Sequence, residues 1–462
     1  MTSCLPNTGL TTCTSAAFGV DLSSWRPTSH DWRTHSHHSV NMSTFDFVVG
    51  TFGTPYIFTL RFVPDTEQSS LKVVKQHEGL GSHSWLHLNP PNEAGIRNLY
   101  ATAWTEPSSL AAYAVHSSTD IELLNTVETN SRSGYVCASS THVYSAGGAT
   151  GEVFAIDSRG GPFTSGPQTN GHINGTAKTI IQPVQKLNFV DTTGQRDDGS
   201  TMDFGGLRHG AHSADLSPDG KLLYIADIGR NCIWTYSVGP SPSAKDHMTL
   251  AEKKISPRKH DGPRHVWPHP NGKYVYCLQE HSSVVDVFEV VKSCDGSIKL
   301  VHRQGVRIIP QGQAVNEFWA DEVRTSLSNG KTPKYLYAST RGLKEGRKGY
   351  VAVYALTADG LVDGAEIVPE DFDSASKEWR DDDQAGLLCM YETVTSGGWA
   401  NAVEPGPTVD GVEYIAMTDS EEGYVFVLAW DGKEVKEAAR LNLNDGTDAS
   451  KGKHGAATAV WL

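Results

Sequence analysis

One pattern recurs along this chain: an apolar strand, a short turn, then a second apolar strand. Seven copies can be read. They are FDFVVGTF (from Phe45) with YIFTLRF, NLYATAW (from Asn98) with LAAYAV, and GYVCASS (from Gly134) with EVFAID. KLLYIAD (from Lys221) with CIWTYSV and KYVYCLQ (from Lys273) with SVVDVFEV follow. The last two are KYLYAST (from Lys334) with GYVAVYAL and EYIAMTD (from Glu413) with GYVFVLAW. The copies are continuous or period-2 apolar runs bounded by Gly, Asp, Asn and Ser, which is strand patterning. No comparable stretch keeps a helical period. A small sheet with two apolar faces cannot bury both alone, and stacking such sheets around an axis buries them. The chain is therefore expected to be all-β, a seven-bladed β-propeller. The final AATAVWL is expected to pair with the first blade and close the ring.

The repeats place one propeller over residues 44–462. Residues 1–43, rich in Ser, Thr, His and Pro, read as a flexible extension. His35, His37 and His38 in that arm are more simply adventitious than a metal site. Two intervals interrupt the repeat, 158–206 and 359–394, the latter with the acidic run Asp381, Asp382, Asp383. Both read as surface loops. Forty-five glycines and 22 prolines agree with many turns.

A net charge of −14 argues against a nucleic-acid surface. No apolar run is long enough for a membrane helix. Seven cysteines without a CxxC pair argue against a disulfide framework or structural zinc. The first twenty residues lack a basic and a strongly apolar region, so no secretory signal is evident and the cytoplasm is the expected compartment. No metal and no cofactor are expected. GGATGEV (147–153) and GGLRHG (205–210) lack the context of phosphate loops. A homo-oligomer stays open.

The turns SPDGK (217–221), HPNGK (269–273) and LSNGK (327–331) allow blades to be aligned. Six residues before the turn proline stand His212 and Arg264; the matching positions elsewhere give Glu322 and Trp399. The strand preceding each turn should line the central channel. On the following strand, the fourth residue after Tyr276 is Glu280, and the fourth after Tyr337 is Arg341; the fourth blade has Ile228. Equivalent positions lie at similar depth, yet these carry two arginines, two carboxylates and a histidine. That reads either as a binding site at one end of the channel or as a structural ion-pair network. Two arginines would suit a substrate with more than one carboxylate.

The stretches HSADLSPDGKLLYIADIGRNCIWTY (212–236), GPRHVWPHPNGKYVYCLQE (262–280), YLYASTR (335–341) and TSGGWANAVEPGP with YIAMTDSEEGYVFVLAW (395–430) resemble the fungal 3-carboxy-cis,cis-muconate lactonizing enzymes. That family is related in fold to the propeller 6-phosphogluconolactonases. The resemblance implies a cycloisomerase that closes a γ-lactone from an unsaturated polycarboxylate without a metal. It implies His212, Glu280, Arg264 and Arg341 as the catalytic set. The arginines would bind carboxylates, and His212 or Glu280 would transfer the proton. Glu322 and Trp399 would join in substrate binding. Trp399 stands where the family has a histidine. A lactone hydrolase on the same propeller, a homologue acting on another unsaturated acid or lactone, and a non-catalytic binding propeller remain as alternatives.

Overall fold

The computed structural model of the chain describes residues 43–157, 161–164, 181–190, 210–239, 247–327, 332–369, 372, 384–446 and 452–462. Most of the arm, His35, His37, His38 and the run Asp381, Asp382, Asp383 lie outside these residues.

Seven four-stranded antiparallel sheets follow one another along the chain. Their innermost strands are Gly455–Trp461, Leu86–Leu88, Tyr135–Ala138, Ala211–Leu216, Pro263–Pro268, Phe318–Thr325 and Val403–Val409, here blades 1 to 7 in that order. The ring closes as expected. Gly455–Trp461 pairs with Phe45–Phe52, so the last strand of the chain completes the first blade.

Each blade has its apolar weight in its two middle strands. All six residues of Leu222–Asp227 and of Tyr274–Gln279 are buried. The outer strands are half-exposed, as Ser70–Glu78 and Met248–Ile255 show. Middle strands therefore read as continuous apolar runs, while most outer strands do not. A tyrosine recurs in these middle strands, and burial obliges its hydroxyl to find a partner. Tyr276 Oη donates to Gly360 O at 2.6 Å, and Tyr337 Oη donates to Glu413 Oε2 of blade 7 at 2.6 Å. Clusters of buried residues mix neighbouring blades: Tyr276, Val323, Ala352 and Tyr354 pack together between blades 5 and 6.

The structure corrects three expectations. In blade 3, GYVCASS forms the innermost strand, and the strand that pairs with Thr150–Ala155 is His142–Ala146. The interval 158–206 holds the outer strand Gln185–Asn188, and 359–394 holds the outer strand Leu387–Glu392. Gln185–Asn188 (QKLN) is short and polar and carries no apolar run, whereas Leu387–Glu392 (LLCMYE) is apolar but follows closely on the acidic run.

Candidate active site

At one end of the channel lies a cavity of about 890 Å³. Its floor is built by one backbone irregularity used three times. The pairing of innermost and second strands skips a residue between Ala211 and Ser213, between Pro263 and His265, and between Ala320 and Glu322. The skipped residues are His212, Arg264 and Asp321. A β-bulge re-aims the extra side chain, and here it turns all three toward the same place.

Asp321 therefore takes the ring position that residue counting assigned to Glu322. The cause is the turn. Ser217 N bonds to Leu222 O, and His269 N to Tyr274 O, but Ser326 N reaches Tyr335 O. Blade 6 has a longer connection, so counting from its Asn-Gly shifts the alignment by one residue. A one-residue shift exchanges the two faces of a strand. Glu322 takes the register position of His265 but stands outside the cavity lining. Trp399 is also corrected. It sits in the loop before blade 7, 69% exposed at the mouth, not on the channel-lining strand.

The second equivalence stands in the register. Ile228 N and Glu280 N bond to Gly210 O and Gly262 O, and Arg341 pairs with Trp319, at matching ends of three second strands. Glu280 thereby meets both arginines. Arg264 Nη1 donates to Glu280 Oε2 at 3.0 Å, and Arg341 Nη2 donates to Glu280 Oε1 at 2.9 Å. Arg264 also donates through Nη2 to Asp321 Oδ1 at 2.9 Å and through Nε to Asp321 O at 3.1 Å. Asp321 Oδ2 accepts from Asn401 N at 2.7 Å. Arg341 Nη1 donates to the carbonyl of Trp399, and its guanidinium stands 5.1 Å from the Trp319 ring centre.

Both guanidinium forks are thus partly engaged by the protein. Groups still without a partner among the described residues face the same floor: Arg341 Nε, His212 Nδ1 and His265 Nε2, all buried. The His212 and His265 rings are 5.2 Å apart. His265 Nδ1 contacts Glu322 Oε1 at 2.9 Å. His265 and Asp321 escaped the sequence reading, although each adjoins a residue it selected. The strand alternation that would have separated their faces is broken at the bulge.

Charge states follow from this geometry. Burial pushes the Glu280 carboxyl up, but Arg264 and Arg341 outweigh it and hold its pKa below the usual value. Glu280 is ionised. Burial, reinforced by Arg264, His265 and Arg341, holds His212 well below the ordinary imidazole value. His265 is depressed likewise, by burial first and then by Arg264 and Arg324. In the free protein the floor therefore sets an ionised Glu280 between two guanidinium ions, beside two uncharged imidazoles. No group of three or more His, Cys, Asp or Glu side chains suited to a metal ion occurs among the described residues.

Comparison with known proteins agrees with this architecture. The family described as "Lactonase, 7-bladed beta-propeller" matches residues 46–371. Muconate cycloisomerase 1 of Cutaneotrichosporon cutaneum is 37% identical over 433 residues, covering 92% of this chain and 100% of that protein. Carboxy-cis,cis-muconate cyclase of Neurospora crassa is 25% identical, covering 87% and 96%. Among solved structures, the periplasmic gluconolactonase of Pseudomonas aeruginosa superposes with a TM-score of 0.63 at 16% identity, over 91% of this chain and 99% of that one. A putative 6-phosphogluconolactonase of Bacteroides uniformis gives 0.61 at 18% identity, with the same coverage. At such identities the structural likeness concerns the fold.

Proposed function

The chain belongs to the seven-bladed β-propeller lactonase family, and from that premise we propose that it is a lactonizing cycloisomerase acting on a cis,cis-muconate. It is an enzyme, its relatives are named for cyclisation of muconates, and its substrate is a small carboxylate. The observation that carries the reading is the convergence at the cavity floor. His212, Arg264, Glu280 and Arg341 come from three blades, and both arginines bond to the two oxygens of one glutamate. No described helix is long and apolar enough to cross a membrane.

In the reaction a substrate carboxylate oxygen forms a C–O bond to an alkene carbon. The alkene pair moves toward the other carboxylate, and the carbon beside that carboxylate takes up a proton. A dianion becomes a monoanionic lactone, so one proton is drawn from solvent per turnover. The site must hold the diacid curled, stabilise the charge that grows on the acceptor carboxylate, and deliver the proton.

Arg341 Nε and the outer protons of both Arg264 and Arg341 are assigned to the carboxylates. Glu280 has both oxygens occupied by arginine and is held ionised, which makes it a positioning residue and a poor proton donor. His212 is assigned the proton transfer. It is neutral in the free site, and substrate carboxylates arriving beside it counter the arginine field that depresses its pKa. The imidazole then takes a proton as the diacid binds and passes it to carbon.

The test is to follow diene absorbance and proton uptake together with cis,cis-muconate and its 3-carboxy derivative. Loss of absorbance with one proton consumed per lactone supports the proposal. Proton release from a lactone, with no action on the dienes, would replace it with lactone hydrolysis.

A further inference from the structure

The cavity is larger and more aromatic than a simple diacid requires. Its volume, about 890 Å³, lies near the top of the range of roughly 300–1,000 Å³ for pockets that hold drug-sized ligands. A six-carbon diacid on the floor fills only a small part of it. Four further aromatic side chains line the cavity: Phe52, Trp104, Trp319 and, from the loop before blade 7, Trp399. Phe52 stands between two of them, with its ring centre 5.2 Å from Trp104 and 6.3 Å from Trp399. Arg132 lies over the Trp104 face at 5.2 Å. Trp399 offers a large exposed ring at the lip of the same cavity. Indole exposed in a concave, water-accessible site gains by covering it with an apolar ligand group.

The charges of the floor point the same way. Arg264 and Arg341 are matched by Glu280 and Asp321, each in a direct ion pair or hydrogen bond. Two cations suit two carboxylates, and a substituent between them falls among the aromatic rings of the same cavity.

Building on the cycloisomerase reading, we propose that the preferred substrate is a cis,cis-muconate bearing an apolar substituent, an alkyl or aryl group. The Arg264–Arg341 floor holds its two carboxylates, and the collar of Phe52, Trp104, Trp319 and Trp399 covers the substituent. The collar sets specificity, and the floor performs the closure.

The experiment compares kcat/KM for cis,cis-muconate and its 3-carboxy, 3-methyl and 3-phenyl derivatives, in the wild type and in Trp399→Ala. A well-placed apolar group changes specificity by about tenfold or more. The expected order is phenyl, methyl, unsubstituted, with phenyl about tenfold above the unsubstituted acid and ahead of the carboxy compound. In Trp399→Ala the ratio of phenyl to unsubstituted should fall toward one. The exposed position of Trp399 makes this variant safe for folding, and circular dichroism checks it. Turnover of muconates with the carboxy compound ahead, or a phenyl ratio indifferent to Trp399→Ala, overturns this inference alone. Failure of all four dienes overturns the cycloisomerase reading and this inference with it.

Discussion

Two buried charge clusters share the propeller axis and are built on opposite balances. The upper one, at the cavity floor, sets Arg264 and Arg341 against Glu280 and Asp321. The lower one sets Arg324 alone among Glu322, Glu404 and Asp215. Arg324 bonds to Glu322 at 2.5 Å and to Glu404 at 3.1 Å, and it lies over the rings of Trp267 and Trp85 at 4.3 and 5.2 Å. Asp215 accepts from Tyr135 Oη at 3.0 Å. The upper cluster keeps polar atoms aimed at a cavity. The lower cluster turns its cation inward and draws side chains from blades 2 to 7 toward the axis. Buried arginine-carboxylate pairing alone therefore does not mark an active site. What sets the upper cluster apart is that its residues with polar atoms left over line a cavity.

Removing cations should separate the two clusters most strongly. Arg341→Ala and Arg264→Ala should each lower kcat/KM by about 10³-fold, in the range for losing a fixed donor to developing charge. Both should still fold, because the cavity gives water access to the partners left behind. Arg324→Met should do the reverse. It should lose about 3–5 kcal/mol in urea unfolding, the cost of breaking a buried pair, while the folded enzyme keeps kcat within about tenfold. If Arg324→Met abolishes turnover in a stably folded protein, the lower cluster is part of the site.

A smaller effect separates His212 from Glu280 at the cavity floor. His212→Asn should lower kcat by about 10²-fold or more, with KM little changed, as for loss of a general acid. Glu280→Gln should act mainly on KM, because the amide no longer anchors two guanidinium groups. An equal kcat loss in Glu280→Gln, with a shifted acid limb in its pH profile, would return proton transfer to Glu280.

Much of this was legible in the sequence, for identifiable reasons. Middle strands such as KYVYCLQ and GYVFVLAW are buried on both faces, so they stand out as apolar runs, and seven of the runs gave the ring. Outer strands such as Gln185–Asn188 alternate weakly and were read as loop. His212 and Arg264 were found because two blades share the same tight turn, with Gly220 and Gly272 at positive φ. Asp321 was missed because blade 6 has a longer turn. His265 was missed because a bulge brings neighbouring residues to one site. Register is a property of strand pairing, and a single strand's sequence does not display it.

The smallest effect tests the lower cluster through pH. Burial raises Glu322 to about 8, and Asp215 and Glu404 to about 7 each, despite Arg324. Their unfolded values lie near 4. The folded state therefore binds more protons than the unfolded chain between about pH 4 and 8. Stability from these groups is full below the unfolded value and is lost as pH rises through 7 to 8. Glu280 has the opposite sign: its pKa is lowered, so its contribution is present above the unfolded value and is lost in acid. His212 and His265, both depressed by burial, also cost stability only as pH falls below about 6.5. Between pH 6.5 and 8.5, then, a decline in Tm comes from the lower cluster together with Asp261, which burial raises to about 7. Glu322→Gln removes its most strongly raised carboxyl and should flatten that decline. Glu280→Gln should leave it as steep as in the wild type. An unchanged alkaline slope in Glu322→Gln would mean that Arg324 keeps Glu322 ionised, and the two clusters would then differ in access to the cavity and not in charge state.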